Sequence, residues 1–389
     1  MTRPMQRNSP TVMLAGHVSL DIMPEIATKS QGFESFRPGG LIVVDGYHIV
    51  PGGSVINTGL TLDRLGESVC MVVKIGTDLF GRIFQESLAD LIQLRDENPS
   101  AVFVREDSVS STSFTIVVSP QGDDRMFLAY PGTNKTFDVT DIPMDEANHA
   151  KVFHFGYPPL LERVYQDGGH SLACLFRSLQ QNHVITSLDM CMPGKDSDVD
   201  WLQFLRTVLP FVDIFAPSLE EVMLMVAPHR YRQLGEGSRP LAMSITEADL
   251  VETAESLLQM GAGVVLIKLG AEGLYVRTGR GLNAPSWANR ELYTPCFRVR
   301  EVGTTGAGDA TIGGLLYGIL RGLEPEGCVK YSVGVGAHSV EAVDATSGIR
   351  TWEEVVFRVE HGWERHRPHP AFETWRSYCD IYRGPRDAN

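Results

Sequence analysis

A glycine-rich turn that runs into an aspartate is the stretch of this sequence best suited to chemistry. Residues 301–314 read EVGTTGAGDATIGG, so Gly306, Ala307 and Gly308 stand where an apolar, helix-like run begins, and Asp309 follows them. The first turn of a helix leaves amide N–H groups without internal partners and carries partial positive charge, so small residues there let an anion approach. Asp309 would compete with that anion unless its carboxylate accepts a proton from a nucleophilic hydroxyl, as phosphoryl transfer requires.

The turn alone leaves a second interpretation open. An aspartate also favours the start of a helix for structural reasons, and a glycine-rich turn between a strand and a helix needs no ligand. Neither common nucleotide-binding fingerprint fits. No Lys-Ser/Thr pair follows the glycines, and Thr311 stands where G-x-G-x-x-G requires its third glycine.

The segments around this turn alternate between strand and helix patterns. Short apolar, β-branched runs are separated by stretches in which apolar residues recur on one helical face. This alternation predicts an α/β fold with a central, mostly parallel sheet flanked by helices. The predicted strands are 12–15, 70–74, 152–156, 184–189, 213–216 and 264–269, and the predicted helices are 80–92, 171–181, 199–208, 247–260 and 306–320.

Two stretches break this rhythm and predict a small antiparallel β lid. In LIVVDGYHIV (41–50), an Asp-Gly pair between apolar runs predicts a tight hairpin, and in 113–130 two strand-like runs flank Pro-Gln-Gly-Asp. The lid would comprise residues of about 22–51 and 108–134 and would exclude water once substrate binds. Because exposed strand edges can pair with another chain, we expect a homodimer through this lid.

Composition and charge exclude several classes of protein. The formal net charge of -14 argues against a nucleic-acid binder, and no apolar run approaches the length of a membrane span. The six cysteines form no C-x-x-C pair and the N-terminus lacks the apolar centre of a signal peptide, which together indicate a cytoplasmic protein. We expect a flexible segment at 1–11, and the sequence does not decide whether the tail at 365–389 packs on the body or on a partner.

Six motifs in order carry a resemblance to a known family. GTTGAGDA resembles the C-terminal signature of the ribokinase-like (PfkB) carbohydrate kinases, whose usual form is Asp-Thr/Ser-Thr-Gly-Ala-Gly-Asp. The match runs from about residue 12 to residue 350. The other stretches that resemble family motifs are GHVSLDI (16–22), GGSVINTGLTLDRLG (52–66), KIGTDLFG (74–81), DIFAPSLEE (213–221) and IKLGAEG (267–273).

The resemblance implies a ribokinase-like kinase domain over residues 12–364. Its activity would be transfer of the γ-phosphate of ATP, with Mg²⁺, to a primary hydroxyl of a small sugar. Asp309 would be the general base, and the amides of Gly306, Ala307 and Gly308 would form an anion hole.

The resemblance also implies how substrate, nucleotide and metal are held. Asp21 and Asn57 would bind substrate hydroxyls, because a carboxylate accepts hydrogen bonds and a carboxamide both donates and accepts them. Gly52 and Gly53 would allow the substrate to approach closely, and Glu221 would act on the metal through water. The residues implied along the nucleotide are Lys268, Gly270, Gly273, Thr304 and Thr305.

Several of these residues also have a purely structural interpretation. Asp21 could be a turn residue at a strand end, and Asn57 could cap a helix. Glu221 could be an exposed helix acid, and Lys268 could extend from a sheet edge. Taken singly, Glu221 and Lys268 favour the structural interpretation, whereas Asp21 and Asn57 favour the functional one because their neighbours match as well.

Three positions depart from the family pattern. Gly303 replaces an aspartate that in the family often helps to bind a monovalent cation, so the resemblance does not support K⁺ activation here. Ser218 replaces the asparagine of Asn-x-x-Glu, which weakens the metal-water network around Glu221. Lys268 stands where threonine is common, and its ammonium would reach the nucleotide phosphates.

Two alternatives to a sugar kinase remain open at this stage. A nucleoside kinase on the same fold would need an apolar or aromatic wall for the base, which Tyr47, Phe114 or Phe127 in the lid could supply. A non-catalytic sensor that binds sugar or nucleotide is kept open by Gly303 and Ser218, although Asp309 and the glycine turn argue against it.

Overall fold

The computed structural model describes residues 10–26, 32–33, 36–92, 99–120, 125–194, 197–235, 240–282 and 284–388. The strands are β1 (Val12–Gly16), β2 (Ser19–Ile26), β3 (Val44–Gly52), β4 (Val69–Gly76), β5 (Ala101–Asp107), β6 (Phe114–Val118), β7 (Met126–Tyr130), β8 (Val152–Gly156), β9 (Ile185–Asp189), β10 (Ile214–Phe215), β11 (Val264–Lys268), β12 (Leu274–Thr278), β13 (Glu291–Thr294), β14 (Arg376–Tyr378) and β15 (Ile381–Arg383). The α-helices are α1 (Ser54–Leu65), α2 (Leu79–Leu91), α3 (Met144–Ala147), α4 (Glu162–Gln166), α5 (His170–Gln181), α6 (Trp201–Val208), α7 (Leu219–Val226), α8 (Pro228–Gly235), α9 (Leu241–Ser244), α10 (Glu247–Gln259), α11 (Ala307–Leu320), α12 (Pro325–Ser339) and α13 (Trp352–Glu360).

The large sheet has 11 strands in the order β14-β15-β13-β12-β11-β10-β9-β8-β1-β4-β5. Its strands are parallel from β11 across to β5, and antiparallel from β11 to β14. The predicted mostly parallel sheet is therefore confirmed. Each strand and helix predicted for this main body is present, with ends that shift by one or two residues.

Both faces of this sheet are covered. Within β1, Met13 and Ala15 pack into one buried apolar cluster, while Val12 and Leu14 pack into another on the opposite face. A strand that is buried on both faces needs a continuous apolar sequence rather than an alternating one, which explains the run VMLAG. Within the described ranges, no helix combines the length and the apolar character that crossing a bilayer requires.

A second, smaller sheet forms the lid, with the order β3-β2-β6-β7. The pairs β2–β3 and β6–β7 are antiparallel, but β2 and β6 are parallel, so the sheet is mixed rather than wholly antiparallel. The chain enters the lid directly from β1, because β2 begins shortly after Gly16. The lid is thereby attached to the edge of the large sheet at which β1 ends.

The hairpin predicted for 41–50 is wrong. Strand β3 continues through Asp45 and Gly46 and pairs with β2, with a register shift where Glu25 faces Gly46 and Ile26 faces Val44. A Cβ on Gly46 would lie 2.8 Å from Oε2 of Glu25, so this glycine permits a close approach within the sheet instead of a turn. The local Asp-Gly signal was overridden by pairing with a strand more distant in the chain.

The second predicted hairpin has its strands confirmed. Strands β6 and β7 pair antiparallel from Phe114 opposite Tyr130 to Val118 opposite Met126. The turn residues 121–124 and most of the N-terminal segment, 1–9, lie outside the described residues.

The tail after residue 364 packs on the body. Strands β14 and β15 extend the large sheet beside β13. The ring of Phe372 stacks on Tyr293 with centroids 3.9 Å apart, and Asp387 Oδ1 lies 2.6 Å from Nε of the buried Arg290. Stacked rings and a buried ion pair thus fix the described part of this tail.

Candidate active site

Polar side chains collect where the parallel strands of the large sheet end. Tyr157 follows β8, Asp189 ends β9, Ser218 follows β10 and Lys268 ends β11. Because parallel strands end at one edge of a sheet, these residues meet there, and such an edge is where α/β folds bind ligands. Helix α11 begins at this edge and carries Asp309 in its first turn.

The first turn of α11 has part of the geometry that its glycines predict. Gly306 precedes the helix with φ of 76°, and a Cβ there would lie 2.4 Å from Cβ of Ala345, so only glycine fits. The N–H of Ala307 donates to the carbonyl oxygen of Thr304 at 3.3 Å. One of the three amides assigned to the anion hole is therefore already engaged in the turn.

The Asp309 carboxylate is buried and held from two sides. Asn57 Nδ2 donates to Oδ2 at 2.9 Å, and the Tyr157 hydroxyl donates to Oδ1 at 3.0 Å. Burial raises the pKa of Asp309 to about 7, the negative charge of Asp189 adds to this, and the two hydrogen bonds and Lys268 oppose it. A carboxyl group with a pKa near neutrality is matched to general-base work at physiological pH.

Asn57 does not cap α1, because Gly53 occupies that position. Its Nδ2 serves Asp309, while its Oδ1 is buried with no hydrogen-bond partner among the residues described. An unpaired buried acceptor costs free energy until something donates to it. Asn57 can therefore orient Asp309 and accept a hydrogen bond from a substrate hydroxyl at the same time.

Asp21 lies within β2 rather than at a turn, and Gly52, the last residue of β3, makes room for its carboxylate, whereas Gly53 makes room for the backbone of His17. A Cβ on Gly52 would lie only 2.1 Å from Oδ2 of Asp21, and one on Gly53, whose φ is 89°, would lie 2.7 Å from the carbonyl oxygen of His17. Burial raises the pKa of Asp21 to about 7, against a hydrogen bond from Ser19, and the charge of Asp309 adds to the rise.

Lys268 is not at a sheet edge, since β11 lies between β10 and β12. Its Nζ contacts Oδ1 of Asp189 at 2.8 Å, and the Asp189 side chain is completely buried. Burial lowers the pKa of Lys268, but the charges of Asp189 and Glu221 outweigh it, so the net direction is upward. A Cβ on Gly308 would lie 3.3 Å from Nζ, which puts the ammonium group beside the first turn of α11.

Glu221 and Ser218 together cap helix α7. The backbone N–H of Ser218 donates to Oε2 of Glu221 at 2.7 Å, and the two side chains form a capping box. Burial raises the pKa of Glu221 to about 7, with Lys268 opposing and Asp189 adding to the rise. The serine at this position thus has a structural reason, and Glu221 is half-buried rather than an exposed helix acid.

The residues predicted along the nucleotide divide into two kinds. Gly273 has φ of 105° and a Cβ there would lie 2.0 Å from the Thr294 carbonyl oxygen, so the fold itself requires glycine. Gly270 has φ of 58° but open space around its Cβ position. Thr304 and Thr305 are partly buried immediately before Gly306. Gly270 therefore leaves room for a ligand, whereas Gly273 needs none to explain it.

The structure gives a reason for Gly303. A Cβ at this position would lie 2.7 Å from the carbonyl oxygen of Val343 and 2.8 Å from that of Ala342. The N–H of Gly303 also donates to the carbonyl oxygen of Val340 at 3.2 Å. Backbone carbonyl groups therefore occupy the space that an aspartate side chain would need.

Sequence reasoning missed Tyr157 and Asp189 as members of this site. Both stand at the ends of correctly predicted strands, and the rule that parallel strands end at one edge would have brought them to attention. His17 lies beside them, with its ring centroid 5.9 Å from that of Tyr157. Burial lowers the pKa of His17 to about 4, so its imidazole is neutral here.

Comparisons with known proteins agree with this geometry. The sequence model described as pfkB family carbohydrate kinase matches residues 18–352. An uncharacterized sugar kinase of Archaeoglobus fulgidus is 28% identical over 288 residues, which cover 74% of this chain and 97% of that protein. Probable fructokinase-4 of Arabidopsis thaliana is 24% identical, with 77% of this chain and 79% of that protein covered.

Solved structures show the same fold. Arabidopsis thaliana ribokinase complexed with ribose and ATP has a TM-score of 0.65 and 17% identity, over 91% of this chain and 100% of that chain. Ribokinase II of E. coli in complex with ATP and Mg²⁺ has a TM-score of 0.66 and 18% identity, over the same shares of 91% and 100%. The main sheet and the four-stranded lid therefore form a ribokinase-like fold.

Proposed function

The chain belongs to the pfkB family of carbohydrate kinases, and we propose that it transfers the γ-phosphate of ATP to a primary hydroxyl of a small sugar, with Asp309 as general base. The observation that carries this proposal is the Asp309 carboxylate, buried in the first turn of a helix with its pKa raised to about 7 by burial. At neutral pH a large fraction of it is ionised, and it can accept a proton from an acceptor hydroxyl.

The acceptor side of the reaction rests on three side chains. Asp21 accepts hydrogen bonds from sugar hydroxyls, and the free Oδ1 of Asn57 accepts another. Asp309 takes the proton of the reacting hydroxyl while the electron pair of that O–H bond attacks phosphorus. The proton and the negative charge thus part at the moment of transfer, which lowers the barrier to nucleophilic attack.

The phosphoryl side rests on the first turn of α11 and on Lys268. The amides of Gly306 and Gly308 would supply partial positive charge beside the Ala307 amide, which already donates to Thr304, and the ammonium beside Gly308 supplies a full charge in a mostly buried setting. The space at Gly270 supports a place for the nucleotide near this turn, with Gly273, Thr304 and Thr305 shaping its wall.

Magnesium would neutralise the charge of the transferring phosphates, and Glu221 would hold it through water. Mg²⁺ commonly binds one or two carboxylates together with substrate phosphates rather than a cage of protein ligands. The described residues contain no group of three or more His, Cys, Asp or Glu that could hold a metal, which fits an ion that arrives with the nucleotide. Because Gly303 supplies no carboxylate, we expect turnover without K⁺.

The register of the lid favours a sugar over a nucleoside. Paired residues point to the same face of a sheet and every second residue repeats that face. Phe114 pairs with Leu20 and Tyr47 with Pro24, so both lie on the face away from Asp21. Only Phe127, opposite Val117, shares the face of Asp21 among the three aromatic candidates. Two of the three candidate rings therefore lie on the wrong face, and Phe127 alone is left as a candidate wall for a base.

A homodimer through the lid is part of this proposal. Several apolar residues share the face of the lid sheet away from Asp21 and are exposed, and we call them the lid face. They are Val44, Tyr47, Met126, Leu128 and Tyr130. A second copy that presents the same surface would bury these side chains against each other, as in an isologous contact. A cytoplasmic location is supported by the six cysteines, which are all free thiols.

The test is ADP release from MgATP across a panel of sugars and nucleosides, with Asp309→Asn in parallel. Removing the base should lower kcat on the preferred acceptor by about 10²- to 10⁴-fold while ATP still binds. Asp213→Asn is the matched control, because Asp213 accepts a hydrogen bond from the backbone N–H of Thr186 at 2.9 Å, away from this site. We expect that variant to keep its kcat.

The panel also separates the alternatives. Turnover on nucleosides but not on free sugars would select the nucleoside kinase. ATP binding without ADP release on any acceptor would select the non-catalytic sensor. Equal losses in Asp309→Asn and Asp213→Asn would remove Asp309 from the role of base.

A further inference from the structure

Tyr157 combines an unusual backbone conformation with a contact to the reacting carboxylate. It follows strand β8 with φ of 61° and ψ of 50°, in the left-handed region that bulky residues avoid. Its hydroxyl donates to Oδ1 of Asp309 at 3.0 Å, across 152 positions of sequence. A left-handed conformation costs a non-glycine residue stability, so the surrounding structure must hold it in place.

Two backbone hydrogen bonds hold Tyr157 in this conformation. Its N–H donates to the carbonyl oxygen of Asp189 at 3.2 Å, and its own carbonyl oxygen accepts from the N–H of Leu160 at 3.1 Å. The first bond links the end of β8 to the end of β9, the strand that carries the Lys268 partner. The strain therefore aims the tyrosine ring along the edge of the sheet toward Asp309 rather than onward with the strand.

We propose that Tyr157 is a positioning residue for the general base. Its hydroxyl fixes Oδ1 of Asp309 while Asn57 fixes Oδ2, so the carboxylate cannot rotate and its remaining lone pairs stay directed at the acceptor hydroxyl. This inference rests on the proposed role of Asp309. It goes beyond it because it adds a donor that neither the glycine turn nor the sequence motifs indicated.

Tyr157 does not exchange a proton itself. Burial raises the pKa of its hydroxyl well above the ordinary value, and the charges of Asp309, Asp189 and Glu221 add to the rise. It is therefore a donor before and after transfer. The acceptor proton passes to Asp309, the O–H electron pair forms the bond to phosphorus, and the bond from phosphorus to ADP breaks, while the Tyr157 O–H bond remains intact.

The charged groups around the pair are known, which makes its titration interpretable. Asp309 interacts with Asp189 on β9 and Lys268 on β11, and it raises the pKa of Asp21 on β2. Tyr157 also faces Glu221 on α7 and the Cys191 thiol after β9. Replacing the tyrosine with phenylalanine leaves all of these in place and removes one donor to the ionised carboxylate. The pKa of Asp309 must then rise.

The experiment compares Tyr157→Phe with the intact protein in two readouts. The first is the acid limb of the pH profile of kcat/KM, which should move up by about one pH unit, equal to a tenfold change in proton affinity. The second is infrared titration of the carboxylic acid band that disappears in Asp309→Asn, which should move by the same amount without any turnover. The kcat of Tyr157→Phe should be lower than that of the intact protein at pH 7, and this difference should be smaller at pH 9.

Tyr275→Phe is the matched control. The Tyr275 hydroxyl donates to Oε1 of Glu291 at 3.1 Å, a buried tyrosine–carboxylate pair in strands β12 and β13. It loses the same kind of bond without touching Asp309, so its acid limb should stay where the intact protein has it. An unchanged acid limb and an unchanged infrared titration in Tyr157→Phe would overturn the proposal.

Failure of this inference and failure of the proposed function give different results. If no acceptor is phosphorylated but the infrared band of Asp309 moves in Tyr157→Phe, the positioning contact stands and the proposed function falls. If turnover is found and the band does not move, the function stands and the positioning role is refuted.

Discussion

The active-site edge of the large sheet and the outer face of the lid are built from opposite kinds of side chain. We define the site floor as five polar side chains at the edge of the large sheet, Asn57, Tyr157, Asp189, Lys268 and Asp309. Asn57 and Tyr157 both donate to Asp309, and Lys268 forms an ion pair with Asp189. The lid face is apolar and exposed, with Leu128 half open to solvent. Charged side chains are therefore concentrated at the ends of the paired strands of the large sheet. Exposed apolar side chains are concentrated on the lid face, where another surface could cover them.

The difference follows from the cost of each kind of group. A buried charge is destabilising unless its partner is fixed within hydrogen-bond distance, which demands rigid strands and helices. An exposed apolar side chain costs little alone and contributes free energy only when another surface covers it. Substitutions in the site floor, even of a single atom, should therefore change the activity. Substitutions in the lid face should change self-association.

The largest expected effect is on the pH dependence of activity. Because burial raises the pKa of Asp309 to about 7, protonation removes the base as pH falls below that value. We expect kcat/KM to fall at least about tenfold per pH unit there, so at least about a hundredfold by pH 5, because Asp21, whose pKa burial also raises to about 7, is protonated over the same range. The lid face contains only Val, Leu, Met and Tyr side chains and no carboxylate. If the proposed dimer forms, sedimentation velocity should show it unchanged at both ends of the pH profile. Loss of the dimer in parallel with the loss of activity would contradict this separation of site floor and lid face.

Lys268→Met tests whether the ammonium of the floor serves the nucleotide. A hydrogen bond to a charged group is worth about 1.5–3 kcal/mol, so the Kd for ATP should rise about 10- to 100-fold. Stability should fall by about 3–5 kcal/mol as well, because Asp189 is left charged and buried without its partner.

The double variant Lys268→Met with Asp189→Asn separates these two effects. It removes the unpaired charge and should recover most of the lost stability, while ATP affinity stays weak. Calorimetric titration with ATP and urea unfolding measure both quantities. Unchanged ATP affinity in Lys268→Met would leave the ion pair with a structural role only.

Two glycine substitutions near the site floor separate the effect of a steric clash on stability from the effect of an unfavourable backbone conformation. Gly303→Ala would meet the carbonyl oxygens of Val343 and Ala342 and should cost about 1–3 kcal/mol in unfolding free energy. Gly270→Ala meets no atom but keeps φ of 58°, for which about 1 kcal/mol is expected. Urea unfolding of both variants gives the comparison. A larger loss in Gly270→Ala would mean that the Gly303 loop can move aside.

The smallest effect on activity is expected at the lid face. Leu128→Ser should shift the protein from dimer to monomer in sedimentation velocity and change kcat less than about threefold, since no floor atom moves. Its unfolding free energy should stay within about 0.5 kcal/mol of the parent under monomeric conditions. Met243→Ser, which replaces an exposed apolar residue on α9, is the control and should leave the oligomeric state unchanged.

The sequence predicted the floor better than the lid because the two depend on different information. The strands 152–156 and 264–269 are mostly apolar, as expected of strands that are buried on both faces, and the helix at 306–320 is mostly apolar after its glycine-rich start. The Asp45-Gly46 hairpin failed because turn propensity is local, whereas the pairing of β3 with β2 joins residues as far apart as Ser19 and Gly52. Helix and strand identity could be predicted, and so could the pairing of β6 with β7 across a short turn, but the pairing of β3 with β2 could not.

Within the site, residue types could be predicted but their partners could not. Asp309 and Asn57 were singled out for separate roles, and their mutual hydrogen bond appears only in the folded chain. Tyr157 acts through a left-handed conformation, which no pattern of neighbouring residues announces. The reason for Gly303 also lies in distant backbone carbonyl groups.

The hydrogen bond between Asn57 and Asp309 joins residues that are 252 positions apart. Contacts of such long sequence separation form late, because the entropy of closing a long loop must be overcome before the contact contributes. A growing chain carries the Asn57 carboxamide before the Asp309 carboxylate has been made, and a partly folded chain holds the two apart. If these residues act as proposed, neither form of the chain should phosphorylate an acceptor. Regain of activity during refolding should therefore report the final step, closure of the first third of the chain onto the last.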